Sequence, residues 1–203
     1  MNIPEKVINR LTLYHFIFDS LRENEQYISS TRIAQLLKID DSQVRKDLKY
    51  LDNPGKCRVG YDVKKLKVKI EECLGFKQKR DAFIIGAGNL GSALAKYDSF
   101  KDYGLNVIAM FDNDTSKIGT MINGKEVFGL TKVANLSARL GVDIAILTVP
   151  KECAETTANY LAGAGIKYIW NFTPCILDVP EHVKVWNENL VGSFLQFINS
   201  DEV

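Results

Sequence analysis

Six consecutive residues, Gly86-Ala87-Gly88-Asn89-Leu90-Gly91, carry the G-x-G-x-x-G spacing that lets a backbone fold around a phosphate group. The first glycine suits a tight turn, the second lets the chain approach a pyrophosphate, and the third lets a helix pack closely on a strand. A diphosphate placed there meets the free N–H groups and the positive end of the helix. Asp112 follows 21 residues after Gly91, at the end of the next apolar run. A carboxylate in that place accepts hydrogen bonds from the hydroxyls of an adenosine ribose and repels a 2′-phosphate, which favours NAD over NADP. Glycine turns are common, so the motif alone is also compatible with a purely structural turn. Its position between a strand and a helix, with Asp112 at the right distance, is what points to a dinucleotide.

Two further loops fall at the carboxyl ends of predicted strands, where the ligands of open parallel sheets bind. They are Thr148-Val149-Pro150 and Asn171-Phe172-Thr173-Pro174. Each proline also reads as an ordinary strand terminator. A hydride-transfer enzyme needs a proton donor or acceptor beside its carbon, and usually a second domain to hold substrate. His15 and His182 are the two histidines, and each reads as structural or solvent-facing. Cys153 and Cys175 have no histidine nearby in sequence. No catalytic residue and no metal site are therefore expected.

These groups require a scaffold. Ala82 to Ile85, Val107 to Phe111, Asp143 to Val149 and Tyr168 to Phe172 are short apolar runs that read as strands, with Val183 to Trp186 as one more. Leu90 to Phe100, Thr131 to Leu140 and Glu152 to Ala164 read as helices between them. Such alternation argues a parallel, doubly wound sheet.

The first eighty residues have a different period. Val7, Leu11, Tyr14, Phe18 and Leu21 form the stripe of one helix after Pro4. Ser29 or Ser30 caps a short second helix with Ile33, Leu36 and Leu37 inward. Asp40 or Asp41 caps a third from about Ser42 to Leu51, with Val44, Leu48 and Leu51 facing the core. Ser42, Arg45, Lys46 and Lys49 then share the opposite face. An isolated charged stripe reads as a solvated face, but a short helix and tight turn before it make a helix-turn-helix, whose second helix meets base edges. Asn53 to Tyr61, with Lys56 and Arg58 between glycines, resembles a wing that can touch phosphates or a minor groove. Residues 62 to 75 resume a helix, and Lys64, Lys65, Lys67 and Lys69 read as its solvated face.

Composition agrees with this division. The 203 residues are 46% hydrophobic and 25% charged, with a net charge of +1, the values of a folded globular chain. Residues 1 to 80 hold 17 basic and 11 acidic side chains, whereas residues 81 to 203 hold 9 and 14. The first part suits a polyanion and the second does not. No apolar run is long enough to span a membrane. Met1 to Arg10 lead into no apolar run closed by small residues, so no signal peptide is expected. Cys57, Cys73, Cys153 and Cys175 form no C-x-x-C pair, and reduced thiols in a cytoplasm are the expectation.

Ser42-Gln43-Val44-Arg45-Lys46-Asp47-Leu48, Gly60-Tyr61, the glycine motif, Phe111-Asp112, Asp143 to Pro150 and Asn171-Phe172 occur in one order along nearly the whole chain. Together they resemble the Rex family of redox-sensing transcriptional repressors. The resemblance implies an α/β chain with a winged helix-turn-helix domain over 1–80 and a Rossmann domain over 81–187 that binds NADH or NAD. It also implies a helix over 188–203 exchanged between the subunits of a homodimer. It places Ser42, Gln43, Arg45, Lys46, Lys49, Lys56 and Arg58 toward operator DNA. It places Gly86, Ala87, Gly88, Asn89, Leu90 and Gly91 on the diphosphate, Asp112 on the ribose, and Tyr97, Thr148, Val149, Asn171 and Phe172 toward the nicotinamide. NADH is expected to release the operator.

Two departures stand out. Lys56-Cys57-Arg58 replaces the Lys-Arg-Gly of typical wings, and Asp52-Asn53 a Gly-Glu pair. The family's relay of an Arg, a Tyr and an Asp around the nicotinamide falls on Phe16, Tyr97 and Asn189, so only the Tyr is kept. The alternatives are therefore a Rex-like paralogue with weak or no redox discrimination, or a small NAD-dependent oxidoreductase.

Overall fold

In a computed structural model, residues 3–22, 25–51 and 59–199 are described, and the chain divides into two compact units, Met1–Gln78 and Lys79–Val203. The first forms around one apolar cluster and the second around two.

The first unit contains α1 (Glu5–Ser20), β1 (Tyr27–Ile28), α2 (Ser30–Leu37), α3 (Asp41–Lys49), β2 (Tyr61–Asp62) and α4 (Val63–Leu74). Pro4 stands just before α1, its carbonyl accepting from the N–H groups of Val7 and Ile8. The predicted stripe is buried at Val7, Leu11, Tyr14 and Phe18, where it packs with Ile33, Val44, Leu48, Leu66 and Ile70. Ser29 caps α2 by accepting from the Arg32 N–H at 3.1 Å. Asp40 caps α3 by accepting from the Ser42 N–H at 2.7 Å. Leu36, expected inward, is exposed, and Ala34 is buried in its place. Ile33, Ala34 and Leu37 pack on the core along an arc spanning roughly 0° to 100° around α2, and Leu36, at about 300°, lies outside that arc. β1 and β2 pair antiparallel, Tyr27 with Asp62 and Ile28 with Tyr61. Lys56 and Arg58 lie outside the described residues.

One buried carboxylate ties these helices together. Asp47 of α3 accepts from Arg10 Nε at 2.6 Å and Nη2 at 2.9 Å. It also accepts from the Tyr14 hydroxyl at 2.7 Å and from Gln43 Nε2 at 2.8 Å. α1 and α3 are thus joined by a fully satisfied charge, the condition under which a buried ion is tolerated. His15, also buried, lies with its ring nitrogens each 3.2 Å from a carboxylate, Asp19 on α1 and Glu71 on α4.

The second unit is a seven-stranded sheet in the order β5-β6-β4-β3-β7-β8-β9. Its strands are β3 (Arg80–Ile85), β4 (Leu105–Asp112), β5 (Met121–Ile122), β6 (Lys125–Gly129), β7 (Ile144–Leu147), β8 (Tyr168–Asn171) and β9 (Lys184–Asn187). All neighbours are parallel except the β5–β6 hairpin. The helices are α5 (Asn89–Ala95), α6 (Val133–Leu140), α7 (Lys151–Gly163) and α8 (Leu190–Asn199). Along β3, Phe83 and Ile85 join the cluster under α6 and α7, while Ile84 joins the cluster under α5. A strand buried on both faces needs this unbroken apolar run.

Two expectations are corrected here. The helix expected over Leu90 to Phe100 ends at Ala95, and a 3-10 turn covers Asp98–Tyr103. The β5–β6 hairpin was not expected. It turns on Asn123 and Gly124, both at positive φ, and its charged residues hide the strand period. α8 carries no buried residue, with Leu190, Val191, Phe194, Leu195 and Ile198 all exposed. Asn189 caps it, accepting from the Gly192 N–H at 2.8 Å.

Removing the Asp47 charge strands the Arg10 guanidinium, so Asp47→Ala is expected to cost about 3–5 kcal/mol in denaturant unfolding of the first unit. Burial raises the Asp47 carboxyl pKa, but the donors Arg10, Tyr14 and Gln43 outweigh it and hold the group below the usual carboxylate range. Its contribution is complete above the unfolded value of about 3.9 and is lost as pH falls through the lower folded value. Acid titration of the wild type should show this loss, and the Asp47→Ala protein should lack it.

Candidate functional site

The chain leaves β3 at the centre of the sheet, passes the glycines and enters α5. β4 lies on one side of β3 and β7 on the other. The loops at their carboxyl ends diverge around this switch point and leave a crevice of about 450 Å³. Gly86, Gly88, Asp112, Thr148 and Val149 line it, as do Cys153 and two residues that sequence reasoning did not single out, Lys117 and Leu130.

The glycines differ in what demands them. Gly86 has φ +103°, and a Cβ there would lie 2.7 Å from the Thr148 carbonyl oxygen. A Cβ at Gly91 would lie 1.9 Å from the Gly86 carbonyl oxygen, so no side chain fits between turn and helix. A Cβ at Gly88 would meet no protein atom within 4 Å. Gly88 caps α5 without a side chain, and its open side leaves room for a group lying against the backbone. The first N–H groups of a helix have no intrahelical partner, so Asn89 and Leu90 present donors there. The residues fit a diphosphate.

Asp112, at the end of β4, is held on three sides. Oδ2 accepts from the Ala87 N–H at 2.8 Å and from Lys117 Nζ at 3.2 Å. Oδ1 accepts from the Asp114 N–H at 2.8 Å. Burial raises its pKa, and these donors reverse the effect, holding the carboxyl below its ordinary range. The Ala87 N–H is thus spent on Asp112. Thr148 Oγ1 lies 3.0 Å from the Ile85 oxygen and 2.9 Å from the Gly86 oxygen, fixing β7 to the turn.

The other expected residues divide. Asn171 is buried and uses its amide on the chain itself, donating to the Cys175 oxygen at 2.9 Å and to Asn187 Oδ1 at 2.8 Å. Its oxygen accepts from the Thr173 N–H. Tyr97 is exposed and starts an aromatic run. Its ring lies 4.8 Å from Phe100, Phe100 lies 5.7 Å from Trp170, and Trp170 lies 4.9 Å from Phe172. This run joins Tyr97 to Phe172, two residues that the sequence places far apart. No pattern in the sequence announces it.

In the first unit Arg45, Lys46 and Lys49 are exposed along α3. Arg45 pairs with Asp41 and reaches Ser30 Oγ at 3.5 Å. Gln43, expected toward DNA, is turned inward onto Asp47. Ser42 is half-buried with its N–H on Asp40. Among the described residues, Lys46 and Lys49 have no ion-pair partner. Cys153 donates to the Pro150 oxygen. Among the described residues there is no cluster for a metal ion, and no helix is long and apolar enough to cross a membrane.

The contrast between Gly88 and Gly91 is testable. Gly88→Ala should leave thermal stability within about 0.5 kcal/mol of wild type while abolishing NAD(H) binding in a calorimetric titration. Gly91→Ala should destabilise the second unit by about 2 kcal/mol or more, since backbone must move.

Residues 77–175 match the family described as CoA binding domain, and residues 2–49 match the family described as putative DNA-binding protein N-terminus. The redox-sensing transcriptional repressor Rex of Treponema denticola is 42% identical, covering 92% of this chain and 90% of its own length. That of Carboxydothermus hydrogenoformans is 40% identical, covering 93% and 91%. The crystal structure of RSP in complex with beta-NAD+ and operator DNA matches with a TM-score of 0.90 and 36% identity, over 100% of this chain and 95% of that one. RSP in complex with beta-NADH matches with a TM-score of 0.87, over 100% and 97%. Similarity of this extent, carried through both units, makes the chain a member of the Rex family of redox-sensing transcriptional repressors.

Proposed function

We propose that this chain is a homodimeric, cytoplasmic repressor that holds operator DNA and releases it when NADH occupies the crevice. The observation that carries the reading is the whole-chain likeness to RSP, a protein crystallised both with beta-NAD+ and operator DNA and with beta-NADH. In this reading the diphosphate rests on Gly86 to Gly91 and the ribose on Asp112. Thr148 and Val149 close the crevice, and Tyr97 and Phe172 lie toward the nicotinamide. Asn171 acts by holding its loop.

α3 supplies the groove contact, with Lys46 and Lys49 ready for phosphates. Arg45 must first leave Asp41, and Gln43 contributes by orienting Asp47. The two remaining wing contacts are Lys56 and Arg58. The exposed apolar side of α8 supports exchange of residues 188–203 between subunits, because ten helical residues with no core of their own gain by burial against a second copy. A dimer reads two half-sites at fixed separation, so a small rotation of subunits suffices to break binding. Tenfold release needs about 1.4 kcal/mol of coupling.

A second reading is favoured by Asn189, whose side chain is a neutral helix cap, and by Phe16, an exposed aromatic on α1. With neither charge of the family's relay present, the protein would bind DNA and nucleotide yet separate NADH from NAD weakly. A ligand with equal affinity for both states shifts nothing.

Fluorescence anisotropy of a palindromic operator, with NADH and NAD titrated separately at one salt concentration, distinguishes these readings. Release by NADH alone is expected. Release by both at equal concentrations establishes the second reading, and release by neither removes nucleotide control. In the same assay Lys46→Ala and Lys49→Ala should each weaken every operator alike and reduce the salt slope by about one.

A further inference from the structure

We propose that the adenosine ribose is read by a pair, Asp112 and Lys117 together, and that Lys117 sets how severely a phosphate on that ribose is rejected. This rests on the dinucleotide reading of the crevice.

A carboxylate offers about four lone-pair positions. Three are occupied at Asp112: Oδ2 takes the Ala87 N–H and Lys117 Nζ, and Oδ1 takes the Asp114 N–H. One position, on Oδ1, is left. A ribose presents two neighbouring hydroxyls, and a bare carboxylate would take one on each oxygen. Here it can take only one. The second hydroxyl needs another partner, and Lys117 lines the same crevice. Its ammonium has three protons and gives one to Asp112, while Asp114 Oδ2 stands 3.7 Å away, beyond a hydrogen bond. A remaining proton can be donated to the oxygen of the second hydroxyl.

This arrangement changes the electrostatics of selection. A lone carboxylate repels a 2′-phosphate without compensation. With an ammonium 3.2 Å from Asp112 and 3.7 Å from Asp114, the incoming phosphate meets one positive charge among two carboxylates, and the repulsion is partly cancelled. Selectivity for NADH over NADPH is then a balance between Asp112 and Lys117, with each side chain acting in the opposite sense.

Calorimetric affinities of the full-length protein for NADH and NADPH test this in wild type, Lys117→Met and Lys117→Arg. The methionine keeps the length of the side chain and loses its charge. The ratio of NADPH to NADH dissociation constants should rise about tenfold or more in Lys117→Met, and stay within about threefold of wild type in Lys117→Arg. A merely structural lysine would weaken both nucleotides by one factor. An unchanged ratio in Lys117→Met, with NADH still bound by wild type, overturns the role of Lys117 alone. A wild type that binds neither nucleotide overturns the dinucleotide reading together with it. Lys117→Gln, a second neutral variant, gives the same comparison should the methionine protein not fold.

Discussion

The second unit depends on the contact between Gly91 and the carbonyl of Gly86. With no Cβ at position 91, α5 can start directly against the turn that leaves β3, and its first N–H groups face outward over the carboxyl end of the sheet. Any side chain there would push helix and strand apart. The crevice would widen at its floor, and Thr148, which fixes β7 to Gly86, would lose its hold. The sheet topology supplies the rest, because β4 and β7 leave β3 on opposite sides and their loops cannot fill the space between them.

The first unit uses a different device. Its core is apolar, yet the orientation of α3 is fixed by a charge within that core. Asp47 receives four hydrogen bonds from three side chains, two of them on α1. Apolar packing tolerates small rotations of a short helix, whereas four directed bonds do not. The same residue that anchors α3 also draws Gln43 inward, so the outward face is left to Arg45, Lys46 and Lys49. The placement of α3 is thereby coupled to a buried carboxylate that would be a liability if any of its donors were absent.

Much of this was legible from residue order. Ser29 or Ser30, and Asp40 or Asp41, read as caps because their side chains can satisfy helix N–H groups, and Ser29 and Asp40 are the members of each pair that do so. The glycine spacing and Asp112 identify the crevice because few other local sequences bring a turn, a helix start and a distant carboxylate together. The failures have physical reasons. Leu36 reads as inward by residue type, whereas the arc of α2 that meets the core runs through Ile33, Ala34 and Leu37. The β5–β6 hairpin is a short edge element whose charged residues mask alternation. Asp47 was one polar residue among several, and the sequence contains nothing to pair it with Arg10, 37 positions away. The aromatic run arises in the same way, only when separate loops and strands meet, whereas Lys117 stands five positions after Asp112 and reads in sequence as an ordinary charged loop residue.

The hairpin that sequence reasoning overlooked has an effect at the far end of α5. Lys125 is buried on β6 and donates to the Ala95 carbonyl at 2.7 Å, joined by Asn123 Nδ2 at 3.2 Å. Ala95 is the last residue of α5, so a fixed cation lies on the negative pole of that helix while the positive pole opens into the crevice. A seven-residue helix is short enough for its two poles to oppose each other at any ligand nearby. Neutralising the rear pole leaves the front one dominant, and a hairpin on the edge of the sheet thereby strengthens the positive field at Gly88.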